Sequence, residues 1–458
     1  MKDGQALGNL SELGKNLKHF FEDIKPSKDT LMRYSEINSR KSKLGLISAF
    51  ALTVLVFSVT RGLVPILTKN ASLATPTYFT AAILGVLLSC YGLNAALFTN
   101  SREIGKLLRT LLVINLLFFL VWLIPVVILR LEFNSISEII YIGLFPFSIY
   151  ALIKIPEKII IPTLSFLTLV IAAFVILEFI ELNTFLIPNG HSLAFERQAL
   201  LRPGVFEAFG KTGYLFRPNG LFGSIPEDVG NILAILFVYW FGMVFIVKRY
   251  KLFFYGVAIV TLSALFFTST ASNISASLVG ATLVLVTNVK NKNKNNLLFN
   301  SVISLAVLVI LWWASNHYGL NLEIFWKWSF RASGEGDWEN MLDFRAGDWL
   351  TDTYAYLFGH GATLNISRIA TMEIGTVRWL FEYGLFHSLI LFSILLYPVA
   401  LFLSTKDRDG RLHALPYVAA VTVGVLSTWH YTSLIRTTNI FVFFALYAQA
   451  LRIYRASS

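Results

Sequence analysis

Residues 159–180 read IIIPTLSFLTLVIAAFVILEFI, an apolar run in which Glu178 is the only charged side chain. The hydrocarbon core of a bilayer is about 30 Å thick, and a helix needs roughly 20 apolar residues to cross it. The run is continuous, whereas the strands of a membrane barrel are shorter and alternate with a period of two. It therefore predicts a membrane-spanning helix.

The whole chain has the composition of a membrane protein. Of its 458 residues, 55% are hydrophobic and 14% are charged, whereas soluble proteins carry about 25% charged residues. The single cysteine, Cys90, lies inside an apolar run, which excludes a disulfide framework and a metal site built from cysteines. The composition predicts an all-α polytopic membrane protein.

Apolar runs of the required length predict about 12 transmembrane helices. The two weakest runs are 136–153, which is short and interrupted by Pro146, and 274–289, which is rich in Ser and Gly. The predicted spans are 44–66, 77–98, 107–129, 136–153, 159–180, 228–248, 252–270, 274–289, 298–316, 383–404, 412–430 and 437–453.

The distribution of the 38 Lys and Arg residues predicts the orientation in the membrane. Residues 1–43 are rich in both, and the positive-inside rule then makes both termini cytoplasmic. Topology thus accounts for the net charge of +11, and no nucleic-acid partner is expected. Within 1–43, apolar residues recur at helical spacing, which favours an amphipathic helix on the inner leaflet over a helix that binds a partner. Residues 44–458 form the predicted transmembrane domain.

Two connections, 181–227 and 317–382, are much longer than the others, and both face outward in this topology. Long ordered loops are usually functional. Arginines recur in them, and a guanidinium binds phosphate through two parallel hydrogen bonds. Aromatic residues are frequent in the second loop, and aromatic faces suit sugar rings and the lipid interface. For any one arginine, an ion pair with a nearby carboxylate is the alternative. The recurring arginines are Arg197, Arg202, Arg217, Arg331, Arg345, Arg368 and Arg378.

Three sequence motifs in and beside these loops suggest a family. The first runs from Arg217 through Gly220, Phe222 and Pro226 to Gly230; the second contains Arg345, Trp349, Gly359 and Gly361; the third contains Leu380, Glu382, Gly384 and Leu385. Together they resemble the motifs of the O-antigen ligase and polymerase superfamily of bacterial inner membranes. The resemblance extends from Arg202 to Leu385. The chain departs from the family at Glu373, where the family has a histidine, and at 271–275, which lacks the arginine of a Ser-Arg pair.

The resemblance implies a polysaccharide polymerase that joins oligosaccharide repeat units carried on undecaprenyl diphosphate, on the periplasmic side of the inner membrane. Arg217 and Arg345 would stabilise the leaving diphosphate without a metal or other cofactor. Glu373 would accept the proton of the acceptor sugar hydroxyl, which predicts inversion at the anomeric carbon. An ion pair between Glu373 and Arg378 is the alternative for that carboxylate. Membrane lipids are expected partners, and the resemblance leaves room for a chain-length regulator.

Other residues are weaker candidates for contact with the glycan or its diphosphate. Arg202, Arg331 and Arg378 lie in the long loops, and His430 lies before the last predicted span. Anchoring at the membrane interface explains His430 equally well. For Arg61, at the outer end of the first span, such anchoring is favoured over diphosphate contact.

Two other functions stay open. One is a ligase that transfers the glycan to lipid A core, in which the family histidine would be expected. The other is a lipid-glycan transporter, or flippase, because such proteins also have twelve helices. Transporters more often show repeated halves and charges near the midplane, whereas the charges here cluster in outward loops.

Overall fold

A computed structural model of the chain describes residues 45–64, 68, 71–98, 104–130, 139–184, 218, 221, 226–247, 250–268, 270–289, 357, 375–428 and 439–457. Within these ranges the regular structure is helical throughout, without a strand. The α-helices are α1 (Leu46–Thr60), α2 (Ala74–Phe98), α3 (Lys106–Arg130), α4 (Ile149–Leu152), α5 (Glu157–Thr184), α6 (Pro226–Ile246), α7 (Lys251–Phe267), α8 (Ala271–Val289), α9 (Gly375–Leu395), α10 (Tyr397–Ser404), α11 (Arg408–Ser427) and α12 (Ile440–Ser457). A 3-10 turn, Ala71–Leu73, precedes α2.

Three helices in the described ranges are long and apolar enough to cross a membrane. They are Thr75–Phe98 in α2, Glu157–Phe179 in α5 and Asp228–Ile246 in α6. A fourth span results if the halves of a bent pair, Tyr383–Leu395 and Tyr397–Ser404, count as one; they meet at 57°. An all-helical fold suited to a membrane is therefore confirmed, whereas the number of twelve spans and the orientation of the loops stay predictions.

The centre of the bundle is α6, which packs against α7, α8 and α11. In the most apolar 18-residue stretch of α6, 89% of the residues are buried, compared with 39% in that of α2. Small residues allow the helices to approach closely, as is common between membrane helices. A Cβ atom at Gly242 would lie 2.9 Å from Pro416, and one at Gly424 would lie 2.6 Å from the Phe443 ring. The helix α11 thus approaches the last turns of α6 closely at Gly242, and α12 approaches α11 closely at Gly424.

The predicted span 136–153 does not form one continuous α-helix. It contains a π-helical segment, Ile139–Leu144, a 3-10 turn, Phe145–Ser148, and the short helix α4. Pro146 lies in the 3-10 turn, where its missing N–H group and its ring interrupt the α-helical hydrogen bonds. The helix is therefore irregular where the sequence made this run weak, and the span itself stays a prediction.

The boundaries of the two long loops also need correction. The helix α5 continues to Thr184, and α9 begins at Gly375, so that 181–184 and 375–382 are helical. Hydropathy marks only the apolar part of a helix, and polar turns can extend beyond it. The predicted amphipathic segment 1–43 and the predicted span 298–316 lie outside the described residues.

Candidate functional site

One end of the bundle, where α5 ends and α6 begins, contains a buried arginine; we call it the loop end. Arg61 directly follows α1 and is 3% exposed. Its Nη1 donates hydrogen bonds to the carbonyl oxygen of Ser58 at 2.5 Å and to Oδ1 of Asn439 at 3.1 Å. Its guanidinium carbon lies 5.1 Å from the centre of the Tyr78 ring, whose face attracts a cation. Because α1 packs against α2 and α12, the side chain is enclosed, and the predicted interfacial anchoring of Arg61 is wrong.

The starts of two helices lie at this arginine, and the start of a third packs against one of them. Asn439 is the residue before α12, and Asp228, in the first turn of α6, attracts the guanidinium electrostatically. Gly230 lies one turn into α6, and a Cβ atom there would lie 2.5 Å from Oγ1 of Thr270 and 2.6 Å from Nδ2 of Asn273, at the start of α8. Helix starts present backbone N–H groups and favour negative charge. The carboxylate of Asp228 offsets part of the positive electrostatic potential of these helix starts and of Arg61. The positive potential that is left suits an anion.

The first sequence motif lies against the same place. Leu221 is buried, and a Cβ atom on Gly62 would lie only 1.8 Å from the Leu221 carbonyl oxygen. The backbone of the motif therefore touches the residue next to Arg61, at a position that only glycine permits. Pro218 is buried as well. Arg217, which precedes it, lies outside the described residues.

A π-helical segment closes the cluster on another side. The hydroxyl groups of Tyr78 and Tyr141 are 2.5 Å apart, and Tyr141 lies in the segment Ile139–Leu144. Inserted π-helical turns are rare and often occur at functional sites. Tyr78 thus contacts Arg61 with its ring and Tyr141 with its hydroxyl group.

The third sequence motif forms a sharp break in α9. Gly384 has φ 74° and ψ 174°, a conformation that is essentially restricted to glycine. The rings of Trp379 and Phe392 are 5.5 Å apart, whereas thirteen residues of a straight helix would separate them by about 20 Å. The chain before Gly384 therefore folds back toward the helix that follows it.

A buried amide and a buried imidazole join this break to the π-helical segment. Nδ2 of Asn115 donates to the carbonyl oxygen of Ile142 at 2.8 Å, and Oδ1 of Asn115 lies 2.8 Å from Nε2 of His387. His387 is 0% exposed, and its ring stacks on Phe118 at 4.1 Å. Asn115 bonds Ile142, and Tyr78 of the Arg61 cluster bonds Tyr141, the residue before it. The Asn115–His387 pair and the Arg61 cluster therefore contact adjacent residues of the π-helical segment.

The opposite end of the bundle contains a second polar network. The carboxylate of Glu157 accepts a hydrogen bond from the Tyr417 hydroxyl at 2.7 Å and forms an ion pair with His413 at 3.1 Å. Tyr239 donates to the Tyr417 hydroxyl at 3.4 Å. This network connects α5, α6 and α11.

Most of the predicted site residues lie outside the part of the chain that the structure describes. Arg202, Arg217, Arg331, Arg345, Glu373 and His430 lie outside it, and for Arg378 only the backbone, in α9, is described. Family models, curated proteins and solved structures give no match to the chain. The relationship to O-antigen enzymes therefore stays a resemblance of motifs. Of the motif residues, Pro226 and Gly230 lie in α6, and Leu380, Glu382, Gly384 and Leu385 lie in α9. Gly230 and Gly384 contribute to the two clusters above, together with Leu221, which lies within the stretch of the first motif.

Sequence analysis missed several residues of these clusters. They are polar side chains inside or beside apolar runs: Tyr78, Asn115, Tyr141, His387 and Asn439. Polar residues within membrane spans are rare and often functional, and that signal would have found Asn115 and His387. In the described ranges, no group of three His, Cys, Asp or Glu residues could hold a metal ion.

Proposed function

We propose that the protein is a membrane glycosyltransferase, a polysaccharide polymerase that joins repeat units carried on undecaprenyl diphosphate. One observation carries the proposal: buried Arg61 and three helix starts form a cluster against the first sequence motif. Such a cluster suits a diphosphate, because a guanidinium and backbone N–H groups both donate to phosphate oxygens. The proposal places the reaction on the periplasmic side of the bacterial inner membrane.

The reaction needs a group that stabilises the leaving diphosphate. A hydroxyl oxygen of the acceptor sugar forms a bond to the anomeric carbon of the donor chain, and the bond from that carbon to the phosphate oxygen breaks. The bonding electrons and a negative charge pass to undecaprenyl diphosphate. Fixed positive groups near that oxygen stabilise the transition state more than the ground state. Arg61 would hold the diphosphate, and the loop residues Arg217 and Arg345 would complete its coordination.

The proton of the acceptor hydroxyl must leave in the same step. Glu373 is the proposed acceptor of this proton, and attack from the face opposite the diphosphate would invert the anomeric carbon. In this proposal, the remaining basic side chains bind the glycan or its diphosphate. They are Arg202, Arg331, Arg378 and His430.

The test uses the purified protein in lipid nanodiscs with synthetic undecaprenyl-diphosphate oligosaccharides and EDTA, and it separates the products by size. A ladder of repeat units on lipid diphosphate is expected. Transfer that occurs only when lipid A core is supplied would identify a ligase instead. If neither product forms although several glycans have been tried, the proposal is contradicted.

The break in α9 favours a lipid-glycan transporter as a second candidate, because transporters often bind substrates at interrupted helices. A transporter would move the labelled lipid oligosaccharide across a liposome membrane and leave its size unchanged. The polymerase would lengthen the glycan without moving it across the membrane. The two readouts therefore distinguish the candidates in one preparation.

A further inference from the structure

Three polar atoms beside the break in α9 are buried without a hydrogen-bond partner in the part of the chain that the structure describes. They are Nε1 of Trp379, Nδ1 of His387 and Oγ of Ser388, and the three residues are at most 1% exposed. Buried polar atoms in native proteins almost always have a partner, whether protein, water or ligand. Three such atoms lie within ten residues of α9, and each of them needs a polar partner.

The hydrogen bonds of Asn115 determine what His387 can offer. Nδ2 of Asn115 donates to the Ile142 carbonyl oxygen, which leaves Oδ1, an acceptor, toward Nε2 of His387. Nε2 must then carry the hydrogen atom, and in the neutral imidazole Nδ1 is an acceptor. The site consequently offers one acceptor from a ring that stacking on Phe118 holds in place.

Trp379 and Ser388 add donors on one side of the helix. The Trp379 ring packs against Phe392, and Ser388 lies one turn before Phe392 on the same side of α9. The indole nitrogen donates only, whereas the serine hydroxyl both donates and accepts. This fold-back depends on Gly384, whose backbone conformation excludes other residues.

We propose that Trp379, His387 and Ser388 form a subsite that binds the hydroxyl groups of a sugar ring of the acceptor glycan. A sugar hydroxyl donates and accepts at the same atom, which matches the mixed donors and acceptor here, and an aromatic ring suits the apolar face of a sugar. Asn115 connects the subsite to Ile142, the residue after Tyr141 of the Arg61 cluster. The inference rests on the proposed function, since it assigns the glycan and the diphosphate to neighbouring parts of one site.

The test measures equilibrium binding to the full-length protein in nanodiscs. The two probes are undecaprenyl diphosphate and undecaprenyl diphosphate that carries a trisaccharide, the latter in three versions with different terminal sugars. The variants are His387→Gln, Ser388→Ala and Trp379→Phe. Glutamine at position 387 retains a donor for Asn115 and removes the acceptor at Nδ1. Ser393→Ala is the matched control, because Ser393 lies on the same helix, is exposed and bonds only to its own helix.

We expect the wild-type protein and Ser393→Ala to bind at least one glycan-bearing lipid more tightly than undecaprenyl diphosphate. Each subsite variant should weaken that binding five- to tenfold, as is typical for a lost hydrogen bond, and leave the binding of undecaprenyl diphosphate unchanged. If the variants bind the glycan-bearing lipid as the wild type does, water fills the subsite and this inference is wrong. If even the wild type does not distinguish the two probes, the proposed function fails together with it.

Discussion

The two ends of the bundle contain polar networks of different kinds. At the opposite end, Glu157 is bonded to Tyr417 and His413, and Gln449 and Arg452 both donate to the carbonyl oxygen of Ile155. That network joins four helices, α5, α6, α11 and α12, and the carboxylate of Glu157 is paired within it. At the loop end, Arg61 is surrounded by neutral acceptors, an aromatic face and one carboxylate.

The two networks differ in whether their buried hydrogen-bond donors have partners within the described ranges. Asn439 binds Arg61 with its oxygen, while its buried amide nitrogen has no partner within the described ranges. Three helix starts and the first sequence motif add further donors and close backbone contacts at the loop end. A network that is complete in itself stabilises a fold, whereas buried donors beside a motif are typical of a binding site. We therefore expect variants at the two ends to affect different properties.

Among the variants that keep the charge or the backbone contacts, the largest effect on activity is expected for Arg61→Lys. Lysine retains the charge but lacks the planar guanidinium that donates to Asn439 and lies over the Tyr78 ring. The rate of polymer formation in the ladder assay should fall at least 100-fold, while the protein still inserts and elutes as a single species. Arg109→Lys, which changes a partly exposed arginine near the start of α3, should polymerise normally. An Arg61→Lys protein with wild-type rates would contradict the role of Arg61.

The next effect is expected for Gly62→Ala. A methyl group there would lie 1.8 Å from the Leu221 carbonyl oxygen, so the first motif would have to move away from Arg61. We expect about tenfold slower polymerisation by a folded protein. Gly45→Ala, before the other end of the same helix, has no atom within 4 Å of the added methyl group and should have no effect. Equal rates for both variants would show that the contact is unimportant.

Gly384→Ala tests the break in α9. Alanine at φ 74° and ψ 174° is strained, which should cost about 1–3 kcal/mol of stability, and straightening the helix would separate Trp379 from Phe392. A lower melting temperature and slower polymerisation are expected together. The control is Gly256→Ala in α7, where the added methyl group meets no atom within 4 Å and should leave the melting temperature unchanged or raise it slightly.

The smallest effect on activity is expected for Glu157→Gln. The variant loses the ion pair with His413, and we expect the free energy of unfolding to fall by about 2 kcal/mol. Polymer formed per folded molecule should be unchanged. Asp409→Asn, at an exposed position in the first turn of α11, should leave the melting temperature near that of the wild type. A stable Glu157→Gln protein without activity would show that the opposite end takes part in catalysis, which would contradict the assignment of the site to the loop end.

The sequence predicted the helices better than the site. Hydropathy placed 77–98, 159–180 and 228–248 close to α2, α5 and α6, because burial in lipid and burial in protein select the same residues. At 136–153 it located an apolar helical segment but not its irregular π-helical and 3-10 turns, which depend on the local hydrogen-bond pattern around Pro146. Hydropathy also gave no sign of the break at Gly384, because the fold-back of Trp379 onto Phe392 depends on backbone geometry.

The contacts that residues distant in the chain make with Arg61 could not be predicted from one sequence. Asn439 is 378 residues away from Arg61 in the chain, and no local pattern relates them. The same run of residues that contains Arg61 is compatible with a side chain that reaches the membrane interface. The packing of α1 against α2 and α12 decides between the two positions, and that packing is a property of the whole bundle.

The central claim is that the loop end binds the diphosphate and the opposite end only stabilises the fold. The most direct measurement compares Arg61→Gln and Glu157→Gln in the ladder assay, with product normalised to folded protein. We predict that Glu157→Gln extends the glycan at the wild-type rate and that Arg61→Gln produces no ladder. A ladder from Arg61→Gln, or its loss in folded Glu157→Gln, would contradict the claim.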